Sequence, residues 1–237
     1  MTLIDALFAI AVVASLAVVR VRRPSWVRAA SRPMTITFGS LATYAVLRHP
    51  SIGNVWINDG IRALTGLDNL ADLLGDLSGC VAAWGLCTHA AQAWGARWLT
   101  PIVTRATLAL GATLATLYAI SEAPYTDTTY IGHLGGWAEL YSYIAALAVI
   151  VANVAVLVST AFARKEIDMS LLMAGALVGL VVGAHRASDH FAPELLADTH
   201  DAISWPLTAI AIILYACAGL ASHNAKAHEP MPDRERV

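Results

Sequence analysis

Charged residues are scarce in this sequence. They make up 14% of its 237 residues, whereas soluble domains average about 25%. The hydrophobic fraction is 57% and the mean hydropathy is +0.61. Apolar residues are spread along the whole chain, which excludes a globular domain with a single anchor and predicts several spans in a lipid bilayer. Since the formal net charge is −2, we expect no nucleic-acid partner.

Cysteine and catalytic motifs are also scarce. Cys80, Cys87 and Cys217 all fall inside apolar runs. Cys80 and Cys87 would lie about 10 Å apart along one helix axis, too far for a disulfide. The chain has no CxxC pair, zinc-finger spacing, GxSxG motif, P-loop or dinucleotide fingerprint. We therefore predict no catalytic residues and no cofactor, with a divalent metal as the one possibility considered below.

Proline is missing from the middle of every apolar run. Pro33, Pro101 and Pro206 fall in the first turns of their segments, where a missing N–H costs little. Many secondary transporters bind substrate at broken helices in matching positions of two repeats. Because neither breaks nor a repeat are found, the pattern disfavours a transporter.

Seven apolar segments are long enough to be membrane spans. The first lacks a basic segment before it and is followed by arginines, so we expect a retained span and not a cleaved signal peptide. The polar tail 222–237 is expected to be disordered and cytoplasmic. The predicted fold is therefore an all-α bundle of seven transmembrane helices, over approximately 3–19, 33–49, 70–95, 101–121, 134–161, 169–185 and 203–221.

The basic residues predict the orientation of these spans. Placing the loop 20–32 in the cytoplasm puts nearly all lysines and arginines inside, and leaves Arg48, Arg62 and Arg186 outside. Basic residues favour the cytoplasmic side, so we expect the N-terminus outside, the C-terminus inside, and a multi-pass protein of the cytoplasmic membrane. The loop 20–32 is a candidate contact for a cytoplasmic regulatory partner or for anionic lipid. Most acids fall on the outer side.

An acidic stripe begins the third span. Asp68, Asp72 and Asp76 recur every four residues, so they share one helix face. Asn69 as N-cap and Asp72 as its capping-box partner would explain the first two acids. Asp76 lies about 10 Å further along the axis, where an acid usually needs a partner. A structural partner, a ligand or ion site, and a merely interfacial acid are all open readings.

A second polar group surrounds the outer end of the sixth span. We expect Arg186 to pair with a stripe acid, since an arginine in the outer leaflet needs a counter-charge. Glu139, near the outer end of the fifth span, and Asp189 could join Asp72, Asp76 and Arg186 in an acidic outer vestibule. Imidazole and carboxylate groups suit a divalent metal or a pH switch, although the spacing matches no strong metal motif. The candidate metal ligands are His185, His190 and His200.

Small and polar residues predict close packing of the spans. Gly175, Gly179 and Gly183 recur every four residues, a pattern that lets helices approach closely in lipid. This face could pack within the bundle or in a homo-oligomer. Asn153, in the middle of the fifth span, is expected to form an interhelical hydrogen bond.

Three stretches carry a resemblance. The segments "INDGIRALTGLDNLADLLGDLSGCVAA", "APYTDTTYIGHLGGWAELYSYIAAL" and "GALVGLVVGAHRA" resemble a family of actinobacterial seven-helix membrane proteins of unknown function. Its members are sometimes described as putative transporters, and some resemble membrane partners of helix-turn-helix repressors and zinc peptidases. Family members often carry a longer cytoplasmic region after the seventh span, which this chain lacks. The resemblance implies a topology and no catalytic residues.

Together these patterns favour a non-enzymatic sensor or regulatory membrane protein. Its outer acidic vestibule would bind a cation, a proton or a small cationic ligand. The alternatives are a transporter or channel for such a solute, an intramembrane metal-dependent hydrolase, and an interaction protein that assembles through its glycine face.

Overall fold

The computed structural model describes residues 2–128, 130–161, 167–188, 191 and 199–227. Over these residues the chain forms helices and turns and no strand. Short 3₁₀ and π-helical turns join the longer elements. The eight α-helices described are α1 Leu3–Arg22, α2 Arg32–Leu47, α3 Asn58–Thr65, α4 Leu70–Ala93, α5 Leu99–Ile120, α6 Gly136–Ala161, α7 Ile167–Ser188 and α8 Trp205–Ala227.

Six of these helices are long and apolar enough to cross a membrane: α1 and α4 to α8. Helix α2 has 16 residues and would measure about 24 Å, which is shorter than the hydrocarbon core of about 30 Å. It coincides with the predicted second span, 33–49. Helix α8 continues to Ala227, beyond the predicted boundary at 221, and residues 228–237 lie outside the described residues.

Helix starts follow local capping rules. Thr2 and Asp5 form a capping box at the start of α1, with the Thr2 N–H donating to Asp5 Oδ2 over 2.6 Å. Pro33 lies in the first turn of α2 and Pro101 in the first turns of α5, where no intrahelical N–H bond is lost. Helix α3 ends at Gly66, whose φ of 74° is readily adopted by glycine.

The long helices form a closed ring. Helix α1 packs against α2, α2 against α4, α4 against α6, α6 against α7, α7 against α8, and α8 returns to α1. Helix α5 lies outside this ring, against α4 and α6. The ring brings the end of α2, the start of α4, the start of α6, the end of α7 and the start of α8 to the same end of the bundle as α3. We call this the α3 end.

The glycines of α7 pack inside the bundle. A Cβ at Gly175 would lie 3.3 Å from the carbonyl oxygen of Ala211 in α8. A Cβ at Gly179 would lie 2.4 Å from Asn153 Oδ1, and one at Gly183 would lie 2.7 Å from Ile150, both in α6. These close approaches use the glycine face for contacts between α7 and its neighbours in the ring.

Candidate functional site

Four charged side chains are buried together at the α3 end. Arg48, Asp72, Asp76 and Arg186 are each at most 9% exposed. Arg48 Nη1 lies 2.5 Å from Asp72 Oδ1, and Arg48 Nε lies 3.8 Å from Asp76 Oδ1. Since burying a lone charge is costly, Arg48 is the counter-ion that allows both acids to lie inside the bundle. We refer to these four residues as the charge cluster.

A tight turn after α2 positions Arg48. The ring nitrogen Nδ1 of His49 accepts the N–H groups of Ser51 and Ile52 over 3.1 and 3.2 Å. The His49 ring also stacks edge-on against Phe8 of α1 at 5.2 Å and faces Asp5 at 3.5 Å. Because Nδ1 accepts both N–H groups, it carries no proton in this arrangement. These contacts of His49 fix the preceding residue, Arg48, against α4.

The acidic stripe is explained differently from its sequence-based interpretation. Asn69 is the N-cap of α4 by position, but its side chain does not cap the helix. Its backbone has a φ of 54°. Its amide instead donates to the carbonyl oxygens of Ala123 and Thr126, both at 2.8 Å. The capping-box reading of Asp72 is therefore wrong, because Asp72 is paired with Arg48. Asp68 accepts a bond from Arg62 at 3.2 Å near the surface.

Asp76 has a second partner, from the neighbouring helix α6. The hydroxyl of Tyr141, in α6, donates to Asp76 Oδ2 over 2.7 Å. Tyr141 is 1% exposed, so this bond is made away from solvent. Oδ1 of Asp76 has no hydrogen-bond donor among the described residues, since its nearest cation is Arg48 Nε at 3.8 Å. One oxygen of this acid therefore keeps accepting capacity.

Arg186 is held differently from Arg48. Its Nη1 donates to the hydroxyl of Tyr44, in α2, over 3.2 Å, and its guanidinium lies 5.2 Å from the centre of the Trp205 ring. Arg48 contacts the same ring at 5.4 Å, so one indole holds both cations. The expected ion pair between Arg186 and a stripe acid does not form within the described residues. Nε and Nη2 of Arg186 are buried with no hydrogen-bond acceptor there.

A central cavity begins at the charge cluster. It has a volume of about 120 Å³ and is lined mainly by α2, α4, α6, α7 and α8. Asp76 and Arg186 both line it, together with Tyr44, and most of its remaining wall is apolar. A smaller space of about 10 Å³ adjoins both residues beside Tyr141. Apolar pockets with a few convergent polar groups are the usual form of a small-molecule site.

Asn153 forms the polar floor of the central cavity. Its Oδ1 accepts the hydroxyl of Tyr215, in α8, over 2.6 Å, while its Nδ2 donates to Val149 of its own helix over 2.7 Å. The first of these bonds links α6 to α8. Gly179 leaves room for the amide, since any side chain at that position would overlap it.

Among the remaining candidate residues, Glu139 and His185 are not brought into this cluster. Glu139 is exposed at the start of α6. The His185 ring bonds the hydroxyls of Thr199 and Ser204 over 2.8 and 2.9 Å. Asp189 and His190 lie outside the described residues, as does the side chain of His200. Among the residues that the structure describes, no group of three or more histidine, cysteine or acidic side chains could hold a metal.

Sequence reasoning missed the residues that complete the site. The sequence pattern identifies Arg48 only as an outer basic residue, and it does not connect Tyr44, Tyr141 or Trp205 with the acids. The signal for Arg48 was its position: an arginine at the outer end of an apolar span, on a side with few other cations, needs a buried or interfacial acid. Tyrosine and tryptophan at span ends are common for other reasons.

The chain matches no protein-family model, no curated protein and no solved structure.

Proposed function

We propose that this protein is a non-enzymatic membrane receptor that binds a small molecule in the central cavity. The observation that carries the proposal is the pair Asp76 and Arg186. Both are buried, both line the cavity, and each keeps unused hydrogen-bonding capacity. Buried polar groups are normally satisfied, so a bound molecule would complete the site. The two acids are held by an arginine and a tyrosine, an arrangement that suits charge balance better than general-base catalysis.

The apolar inner wall of the cavity favours a receptor over a transporter. Leu86, which is 8% exposed, lines both the central cavity and a separate groove beside His89 and Trp94. Its side chain stands between the two spaces and offers no polar group to a passing solute. Sustained uptake of a cavity ligand into proteoliposomes would favour the transporter instead.

Native Cys80 provides a test of the proposed cavity. It lines the cavity and is 6% exposed. In a variant with Cys87→Ser and Cys217→Ser, we expect a small membrane-permeant methanethiosulfonate to modify Cys80, as followed by intact-protein mass spectrometry. Filling the cavity with Ala148→Leu should slow the modification by about tenfold or more, because the reagent must occupy the same space. Ala155→Leu, on the same helix but away from the cavity, should leave the rate unchanged.

Equal rates in the Ala148→Leu and Ala155→Leu proteins would contradict the proposed site. Failure of Cys80 to react at all, while the unfolded protein reacts, would also contradict it.

We further propose seven spans, with α2 as the second, and the α3 end facing outward. Two features support this orientation: the basic segment between α1 and α2 and the acids near the α3 end. That segment folds into 3₁₀ turns, in which Arg32 Nε donates to the Trp26 carbonyl over 3.1 Å. It could contact anionic lipid or a regulatory partner.

Side-specific labelling tests this orientation. In a cysteine-free background, Trp56→Cys near the α3 end should react with an impermeant maleimide in intact cells, because Trp56 is 77% exposed. Trp26→Cys, 45% exposed at the other end, should react only after the cells are opened. The reverse pattern would overturn the orientation and leave the cavity proposal untouched.

A further inference from the structure

The unpaired polar atoms of Arg186 and Asp76 indicate the chemical class of the ligand. Arg186 is 6% exposed, and its only hydrogen bond among the described residues uses Nη1. Nε and Nη2 remain buried and unpaired. These two nitrogens form one edge of the planar guanidinium, and their two parallel N–H groups match the two oxygens of a carboxylate. Arg186 also lines the central cavity, so this unpaired edge is the group there that a ligand carboxylate would complete.

Asp76 presents the opposite charge to the same cavity. Tyr141 occupies Oδ2, but Oδ1 has no hydrogen-bond donor within the described part of the chain, the nearest cation being Arg48 Nε at 3.8 Å. A ligand cation with N–H groups could bond this oxygen. Because Asp76 and Arg186 do not pair with each other, both free edges are available at once.

Charge balance then selects among possible ligands. The formal charges of Arg48, Arg186, Asp72 and Asp76 sum to zero. A simple anion or cation would leave one net charge in a buried site, where isolated charge is expensive. A zwitterion satisfies both free edges and adds no net charge. The size of the cavity and its apolar wall indicate what the rest of the ligand is.

The cavity volume of about 120 Å³ is comparable with cavities of about 150 Å³ that accept benzene. Its wall beyond the charged groups is formed largely by aliphatic side chains, for example Leu41, Leu114 and Ile212. An aliphatic group of about three or four carbons suits this space, whereas a charged side chain would be buried there without a partner.

Resting on the proposed receptor function, we propose that the central cavity binds a free aliphatic α-amino acid of the size of valine or leucine. The carboxylate pairs with Nε and Nη2 of Arg186, the ammonium group bonds Asp76 Oδ1, and the side chain fills the apolar part of the cavity toward Asn153.

A ligand series tests this assignment on the unaltered full chain in nanodiscs. We expect L-leucine to bind saturably by calorimetry and to raise the thermal midpoint of the protein. Isovalerate lacks the ammonium group, isoamylamine lacks the carboxylate, and L-leucinamide replaces it with an uncharged amide. Each should bind about 100-fold more weakly or worse, because each leaves a buried group of the site unpaired. L-lysine and L-glutamate should not bind measurably.

Two variants locate the binding. Arg186→Lys keeps the positive charge but loses the two-pronged donor edge, so leucine affinity should fall by about tenfold or more while the fold is kept. Ala148→Leu should abolish leucine binding, and Ala155→Leu should preserve it.

Equal binding of isovalerate and leucine, or of isoamylamine and leucine, would overturn the zwitterion assignment. So would no leucine binding by a protein whose Cys80 is modified at a rate that Ala148→Leu slows. In that last case the cavity and the receptor proposal stand, and only the ligand class is wrong.

Discussion

Replacing Arg48 with glutamine should destabilise the protein by about 3–5 kcal/mol, because it leaves two buried carboxylates without their counter-ion. Arg48 is 2.5 Å from Asp72 and 3.8 Å from Asp76, and all three side chains are at most 9% exposed. The loss should appear as a large drop in the thermal midpoint in detergent, with reduced yield from the membrane.

Two further variants separate the missing counter-ion from a simple packing defect. Arg48→Gln combined with Asp72→Asn removes one charge of each sign, so it should recover part of the stability lost in the single variant. Arg62→Gln removes an arginine that also pairs with an aspartate, but its side chain is 48% exposed, so little change is expected. A single Arg48→Gln variant as stable as the wild type would mean that Asp72 and Asp76 do not depend on Arg48.

A methyl group at Gly85 should also have a large effect, because this glycine lies where α4 meets α2. A Cβ there would lie 2.1 Å from Thr37 Oγ1 and 2.6 Å from the backbone oxygen of Pro33. The second contact cannot be relieved by a side-chain rotation, so the two helices must separate. We expect Gly85→Ala to cost about 1–3 kcal/mol, measured as a lower thermal midpoint.

Gly39 supplies the matched control on the facing helix. A Cβ at Gly39 would have no other atom within 4 Å, so Gly39→Ala should be neutral or slightly stabilising. Adding Thr37→Ala to Gly85→Ala should restore only part of the stability, since the Pro33 carbonyl still obstructs the new methyl group. If Gly85→Ala and Gly39→Ala melt alike, α2 and α4 are not packed as closely as described.

The functional consequence of the Arg48 pairing is that Asp76 is held in place while one of its oxygens stays available. Without Arg48 to neutralise the acids, Arg186 would be drawn toward them and its free edge lost. The stability of the bundle and the proposed recognition of a ligand would therefore depend on the same four charges. Membrane-buried charges are commonly functional as well as costly.

Much of the fold could be predicted from sequence because hydropathy is a local property. An apolar stretch in lipid must satisfy its own backbone hydrogen bonds, and a helix does so within the segment. The prediction of an all-helical fold is confirmed for the described residues, and six helices are long and apolar enough to span a membrane. The seventh span and the orientation stay predictions, since α2 is short and its membrane crossing depends on its neighbours.

The site was predicted only in part, for the same physical reason. The spacing of Asp72 and Asp76 placed both acids on one helix face, and the depth of Asp76 indicated that it needs a partner. Local sequence could not identify that partner, because Arg48 and Tyr141 reach Asp76 from two other helices. The position of Asn69 before an apolar helix predicts an N-cap. In the structure its amide instead donates to carbonyl oxygens of the loop at 123–126.

The sequence by itself determined that this chain is helical, apolar and polarised in charge, since those properties belong to single segments. Only the tertiary structure decided which charges meet. The packing of α2 against α4 brings Arg48 to the acids. The end of α7 places Arg186 beside Tyr44 of α2 and leaves its Nε and Nη2 unpaired. Pairing in a low-dielectric interior depends on distances of a few ångströms between helices, and these distances follow from packing that no single segment specifies.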